Sequence, residues 1–273
     1  MVSWPIGLAP RRAALTFAIN QSKRFGLNRR NRGCHEVLRL GVNTAANIAI
    51  QNFSRIAPHL GDLNGKIGLE IGPGDNLALA HCFLANGAAK VYALEKQETV
   101  HINKPLRDHI HAHFGSTNET DPFLEIAEFE SFHGPLVDFV YSIDVIEHVS
   151  DVSVVFKHIA RVLKPNGISV HSVDFAGHNA FSGTRLDFLA CPDPVWNLLH
   201  SHLITTNRIR FEEALSCMRD AGLVIDGIDV LDRADTAYIE SLRPSMIARY
   251  RNLSTEDLSV LQAVICARRP NHR

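Results

Sequence analysis

The chain has 273 residues, 45% hydrophobic and 21% charged, with a formal net charge of -1. A chain of that size buries a full core, and its near-neutral balance excludes the global field that marks a nucleic-acid or membrane binder. Its five scattered cysteines (Cys34, Cys82, Cys191, Cys217 and Cys266) match neither a disulfide framework nor a paired Cys-x-x-Cys zinc site, and no run of about 18 apolar residues suggests a transmembrane helix, so the cytoplasm is the expected compartment.

The first element is a basic leader. No acidic residue precedes Glu36, whereas Arg11, Arg12, Lys23, Arg24, Arg29, Arg30 and Arg32 are all positive. A solvated, partly disordered segment is expected, with an amphipathic targeting segment as the alternative. Residues 36–60 then place Val37, Leu38, Leu40, Val42, Ala45, Ile48, Ile50, Phe53 and Ile56 at helical spacing, which predicts one or two flanking helices.

From Lys66 short apolar runs alternate with helical stretches, the signature of a parallel sheet with crossover helices. Strands are expected at 67–71, 90–94, 124–129, 137–143 and 168–173, with helices at 76–86, near 103–114 and at 152–163, the last stopped by Pro165, Asn166 and Gly167. Residues 174–207 break the rhythm with Gly177, Gly183, Pro192 and Pro194 and are expected as an insertion on the substrate side. A helix at 211–221, a strand at 223–230, a helix near 238–250 and a strand at 258–267 complete the pattern. The fold class is α/β, a Rossmann-like, doubly wound, mostly parallel seven-stranded sheet with helices on both faces.

Gly72 and Gly74 sit at the turn between the first strand and its helix, where a missing side chain lets backbone N–H groups approach a ligand. The full dinucleotide fingerprint fails, because Leu77 stands where a third glycine would be. A nucleoside without a pyrophosphate tolerates that change. Glu70 points a carboxylate toward the turn, suited to an ammonium ion, and Glu95 ends the second strand, where a carboxylate accepts ribose hydroxyls. Asp144-Val-Ile-Glu147-His148-Val149 and Arg161-Val-Leu-Lys-Pro-Asn-Gly167 follow.

In this order, Glu-x-Gly-x-Gly, the acidic end of strand two, Asp-x-x-Glu-His-Val and Leu-Lys-Pro-x-Gly resemble the class I S-adenosylmethionine-dependent methyltransferases, well over residues 65–175 and loosely elsewhere. The resemblance implies S-adenosylmethionine as cofactor, with Glu70, Gly72, Gly74 and Asp75 around its methionine part and Glu95 at its ribose. It also implies Glu128 and Phe129 beside the adenine and Ser142 to Asp144 along the methionine side. The sequence departs from the common pattern at Asn76, where many members carry a third glycine, and at Glu128, where Asp or Asn is more usual. Asp75 or Asn76 can cap the following helix. The implied organisation is a leader and helical flank over 1–60 and a methyltransferase domain over 61–273, with the insertion at about 174–207.

A sulfonium activates its own methyl group, so transfer needs an acceptor lone pair held in line and desolvated. A hydroxyl acceptor must also lose a proton to a nearby histidine or carboxylate. His148, His171, Asp174 and His178, at the carboxyl ends of strands four and five, are the candidates. His148 could instead cap a helix, and His171 could be a core histidine. With Glu147, these residues could alternatively ligate a divalent metal, although their spacing matches no known metal signature, and no metal is expected. His109, His111 and His113 are expected on different, exposed sides of their helix. Trp196, His202, Arg208 and Arg210 would shape a pocket for a polar or anionic small-molecule or glycan acceptor, the arginines alternatively serving only a helix start. O-methylation is the expected activity. The alternatives are an RNA-directed methyltransferase, a non-catalytic binding module of the same fold and an NAD-linked oxidoreductase.

Overall fold

The computed structural model describes residues 10–24, 40–96, 100, 103–177, 184–200 and 206–271. Their helices are α1 (Pro10–Arg24), α2 (Val42–Ile56), α3 (Ala78–Ala85), α4 (Lys104–His113), α5 (Val152–Val162), α6 (Asp193–His200), α7 (Phe211–Asp220), α8 (Thr236–Leu242), α9 (Ala248–Arg251) and α10 (Thr255–Ser259). Strands β1 (Ile67–Ile71), β2 (Lys90–Glu95), β3 (Phe123–Ile126), β4 (Val137–Ile143), β5 (Leu163–Asp174), β6 (Val224–Arg233) and β7 (Val260–Arg268) form one sheet in the order β3-β2-β1-β4-β5-β7-β6. The first five pair in parallel. β7 runs against β5: the Asn166 N–H donates to the Arg269 carbonyl, the Arg269 N–H returns to the Gly167 carbonyl, and Ser169 reaches the Ala267 carbonyl.

The chain divides into two compact units. The sheet unit takes 32–173, 215–229 and 264–273. Its central strands are nearly continuous apolar runs because both faces are covered. One face packs α2, α3 and α4 over Val91, Ala93, Phe139, Tyr141 and Val170. Phe83 anchors that layer, its ring 5.0 Å from Phe53 and 4.2 Å from Tyr141. Short polar side chains start α4 and α5. Asn103 accepts the Leu106 N–H and Asp151 the Val154 N–H, each satisfying a donor that has no partner inside its helix.

The second unit takes 1–31, 174–214 and 230–263 and has its own apolar core, built on Leu186, Phe188, Trp196, Leu199, Ile239, Tyr250 and Leu258. Residues 10–24 belong to it as a helix, α1, in which Leu15 and Phe17 stay exposed, so the ordered backbone departs from the expected partial disorder while these side chains remain solvated. Asn20 is buried and its side-chain amide donates to the Leu198 carbonyl of α6 at 2.8 Å.

Several predicted boundaries move for local reasons. β3 stops at Ile126, and the Ala127 N–H then bonds the Glu95 carbonyl as the chain turns away. The predicted 238–250 helix breaks at Pro244, which cannot donate an N–H, and becomes α8, a short 3-10 turn and α9. Pro165-Asn166-Gly167 lie inside β5 as an irregularity, with Asn166 in the left-handed region at φ 61. Among the described residues no helix is long and apolar enough to cross a membrane. Cys82, Cys191, Cys217 and Cys266 are free thiols.

Candidate active site

β1 ends in a turn that only small residues permit. Gly72 and Gly74 take φ values of 67 and 77, a region costly for any residue with a Cβ. They differ in surroundings. A Cβ at Gly72 would lie 2.8 Å from Val145 Cγ2, so the turn after β4 is packed directly against it, while a Cβ at Gly74 would meet nothing within 4 Å. The Asn76 carboxamide accepts the Ala78 N–H and donates to Asp75, which sets the start of α3 two residues after the predicted one.

Glu95 is buried at the end of β2 and accepts the Gly74 N–H at 3.1 Å, so its carboxylate closes on the glycine turn. Glu70 is buried as well. Its carboxyl accepts the Tyr141 hydroxyl at 3.2 Å. Burial pushes the Glu70 carboxyl up to about 8; the Tyr141 bond opposes that rise and the charge of Glu95 adds to it. Tyr141 is the residue that local motif reading misses. Only the pairing of β1 with β4, which sets Glu70 beside Tyr141, brings it in.

Along the neighbouring edge, Glu128 is exposed and ion-paired with Lys96 at 2.6 Å, and Phe129 is buried with its ring 4.6 Å from His158. Asp144 follows β4 at φ 53, with its N–H on the Ser172 carbonyl. His148 closes the 3-10 turn Ile146–His148, half-buried, its N–H donating to the Val145 carbonyl. Ser142 is fully buried and shares a 2.8 Å hydrogen bond with His171 Nδ1. His171 is fully buried too, edge-on to Phe156, and burial pushes its imidazole down to about 3. It is a neutral core histidine, and a group of that basicity accepts a proton weakly near pH 7.

In the second unit, Asp174 accepts the Ala176 N–H. Trp196 is buried, stacked 4.0 Å from His200 and capped by Arg208 at 4.8 Å. Arg208 is buried at φ 65, bonded to the Cys191 carbonyl and paired with Asp193. Arg210 is fully buried and donates to the carbonyls of Phe175, Asp257, Leu258 and Val260. Both guanidinium groups are committed inside the unit. His178 and His202 lie outside the described residues. Among those described, no group of three or more His, Cys, Asp or Glu could hold a metal ion. His111 overturns its expected exposure: it is buried, and its Nε2 lies 3.4 Å from His81 Nδ1.

The family described as Methyltransferase domain matches residues 43–232. The chain belongs to that family. It is an S-adenosylmethionine-dependent methyltransferase, with S-adenosylmethionine as cofactor. Among solved structures, an S-adenosylmethionine-dependent methyltransferase from Mesorhizobium loti is 17% identical, with 84% of this chain and 100% of that one covered at a TM-score of 0.50. A geranyl diphosphate methyltransferase in complex with GPP and sinefungin is 16% identical, with 81% of this chain and 77% of that one covered at a TM-score of 0.51. Likeness at this identity is a likeness of fold. No curated protein matches the chain.

The methyltransferase's own residues fit its cofactor. Two buried carboxyl groups converge on the glycine turn, and the Glu70 carboxyl lacks a cationic partner among the described residues, a lack that an ammonium group meets. Space is open beside Gly74, whereas Val145 packs the side of Gly72. When bound, the cofactor supplies a methyl group on a positively charged sulfur.

Proposed function

We propose that this methyltransferase modifies a hydroxyl of a small molecule or glycan, with His148 as the proton acceptor. In this proposal Glu70 holds the cofactor ammonium, Glu95 the ribose hydroxyls, and Glu128 and Phe129 flank the adenine. Gly72, Gly74 and Asp75 shape the turn, and Asp144 borders the methionine part. The observation that carries it is the contact of Val145 with Gly72, which ties the turn bearing His148 to the cofactor turn. His171, sealed in the sheet, serves to position Ser142 rather than to take a proton. Arg208 and Arg210 act as the frame of the second unit, because their guanidinium groups are buried there and bonded to its backbone carbonyls and to Asp193.

Radiolabelled methyl transfer to a panel of phenols, sugars and amines, with RNA as a further arm, tests the reading. Labelled hydroxyl products are expected, with His148→Gln lowering kcat by about 10²- to 10⁴-fold while S-adenosylhomocysteine affinity holds. Labelling confined to amines or RNA, or full activity in His148→Gln, refutes it.

A further inference from the structure

Glu70 and Tyr141 are register partners on adjacent parallel strands, so their side chains leave the same face of the sheet side by side. The Tyr141 ring is fixed against Phe83 at 4.2 Å and Phe139 at 6.0 Å, which aims its hydroxyl at Glu70 Oε2. Among the described residues, the ionisable groups facing the Glu70 carboxyl are Tyr141 on β4, Glu95 on β2 and Cys82 on α3. None of them is a cation. Two carboxylates held near one turn with little water cannot both stay charged at low cost.

We propose that Glu70 carries a proton in the free enzyme, that the cofactor ammonium displaces it, and that Tyr141 is the positioning residue that prepares Glu70 for this exchange. The inference rests on the reading that Glu70 meets the ammonium. On binding, the carboxyl O–H bond breaks and its proton passes to solvent. The remaining carboxylate keeps the Tyr141 O–H donor and gains the ammonium as its second partner. The burial that raises the Glu70 carboxyl to about 8 supports a protonated free form at neutral pH. Because the Tyr141 bond favours the charged form, loss of that hydroxyl raises the carboxyl further and makes the proton harder to displace.

The test is calorimetric titration of the whole protein with S-adenosylhomocysteine at pH 7, in two buffers that differ in ionisation enthalpy. Release of a proton on binding is expected, since a carboxyl raised to about 8 is mostly protonated at pH 7. 5′-Methylthioadenosine, which lacks the amino acid part, should bind without that release. Glu70→Gln should abolish the release and weaken S-adenosylhomocysteine alone. Tyr141→Phe, which keeps the packed ring, should weaken S-adenosylhomocysteine several-fold at pH 7 and move the rise of affinity with pH to higher pH. If Glu70→Gln leaves S-adenosylhomocysteine affinity unchanged, the ammonium reading and the inference fall together. If it weakens binding but the wild type releases no proton, or Tyr141→Phe leaves the pH profile in place, the inference falls and the ammonium reading stands. The wild-type and Glu70→Gln titrations decide the proton exchange even if Tyr141→Phe fails to fold.

Discussion

Alanine at the two glycines of the cofactor turn separates backbone strain from crowding. Both positions lie in the left-handed region, which costs an L-residue roughly 1–2 kcal/mol. At Gly74 the new methyl meets nothing within 4 Å, so that cost stands alone. At Gly72 it would lie 2.8 Å from Val145 Cγ2 and 3.2 Å from Cγ1. Overpacking of that kind adds about 1–3 kcal/mol. Gly74→Ala should therefore destabilise the free protein by about 1–2 kcal/mol and Gly72→Ala by about 2–5. Urea unfolding at equal slope measures both. In a Val145→Ala background the crowding disappears, and Gly72→Ala should cost no more than Gly74→Ala, a coupling of about 1–3 kcal/mol in the double-mutant cycle. Gly74→Ala should instead show its larger effect on S-adenosylhomocysteine binding, because its methyl occupies the open side of the turn. Equal stability costs for the two variants, or no coupling to Val145, would refute the packing argument.

Other outcomes follow from the same geometry. Glu95→Ala should weaken S-adenosylhomocysteine binding by about 1–3 kcal/mol through lost hydrogen bonds, and calorimetry showing unchanged affinity would remove Glu95 from the site. Burial lowers the imidazoles of His81 to about 4, His171 to about 3 and His200 to about 4. Unfolded histidines titrate near 6.5, so the unfolded chain binds more protons below that value. The stability these three rings contribute should be fully present above pH 6.5 and lost as pH falls toward 4 and 3, with the raised Glu70 carboxyl opposing that loss, and urea midpoints of Glu70→Gln that stay flat from pH 7 to 4 would contradict the burial of these rings. Arg210→Met should destabilise by about 3–5 kcal/mol, since four carbonyls lose a charged donor. Arg210→Lys should not rescue it, because one ammonium cannot reproduce the planar fork; limited proteolysis of residues 174–214 would reveal either failure.

The parallel half of the sheet was legible because its strands are buried on both faces. Ile67–Ile71 and Val137–Ile143 read as mostly apolar runs, interrupted only by Glu70, Asp138 and Ser142, and occur with those bounds. β3 was blurred because it is an edge strand, half exposed, with Phe123 and Ile126 facing solvent. The positions of the glycine turn and of Glu95 at the end of β2 were legible because glycines and a strand end are marked locally. Tyr141 and the His81–His111 pair were not. Each depends on which elements become neighbours, β1 with β4 and α3 with α4, and no window of sequence contains that fact.

The second unit shows the same limit in another form. Its segments are discontinuous, and much of its length is turns and short helices whose carbonyls lie outside any regular ladder. Such carbonyls need donors. In sequence, Arg208-Ile-Arg210 on a substrate-side loop looks like an anion site, because a guanidinium offers five donors and a charge. The same five donors can satisfy backbone instead. Phe175 and the residues from Asp257 to Val260 are far apart in the chain, and Arg210 holds both stretches from one buried position. An arginine on an irregular loop therefore signals an anion only when its donors remain available. In this chain the guanidinium groups of Arg208 and Arg210 are buried and bonded to the second unit's own carbonyls and to Asp193.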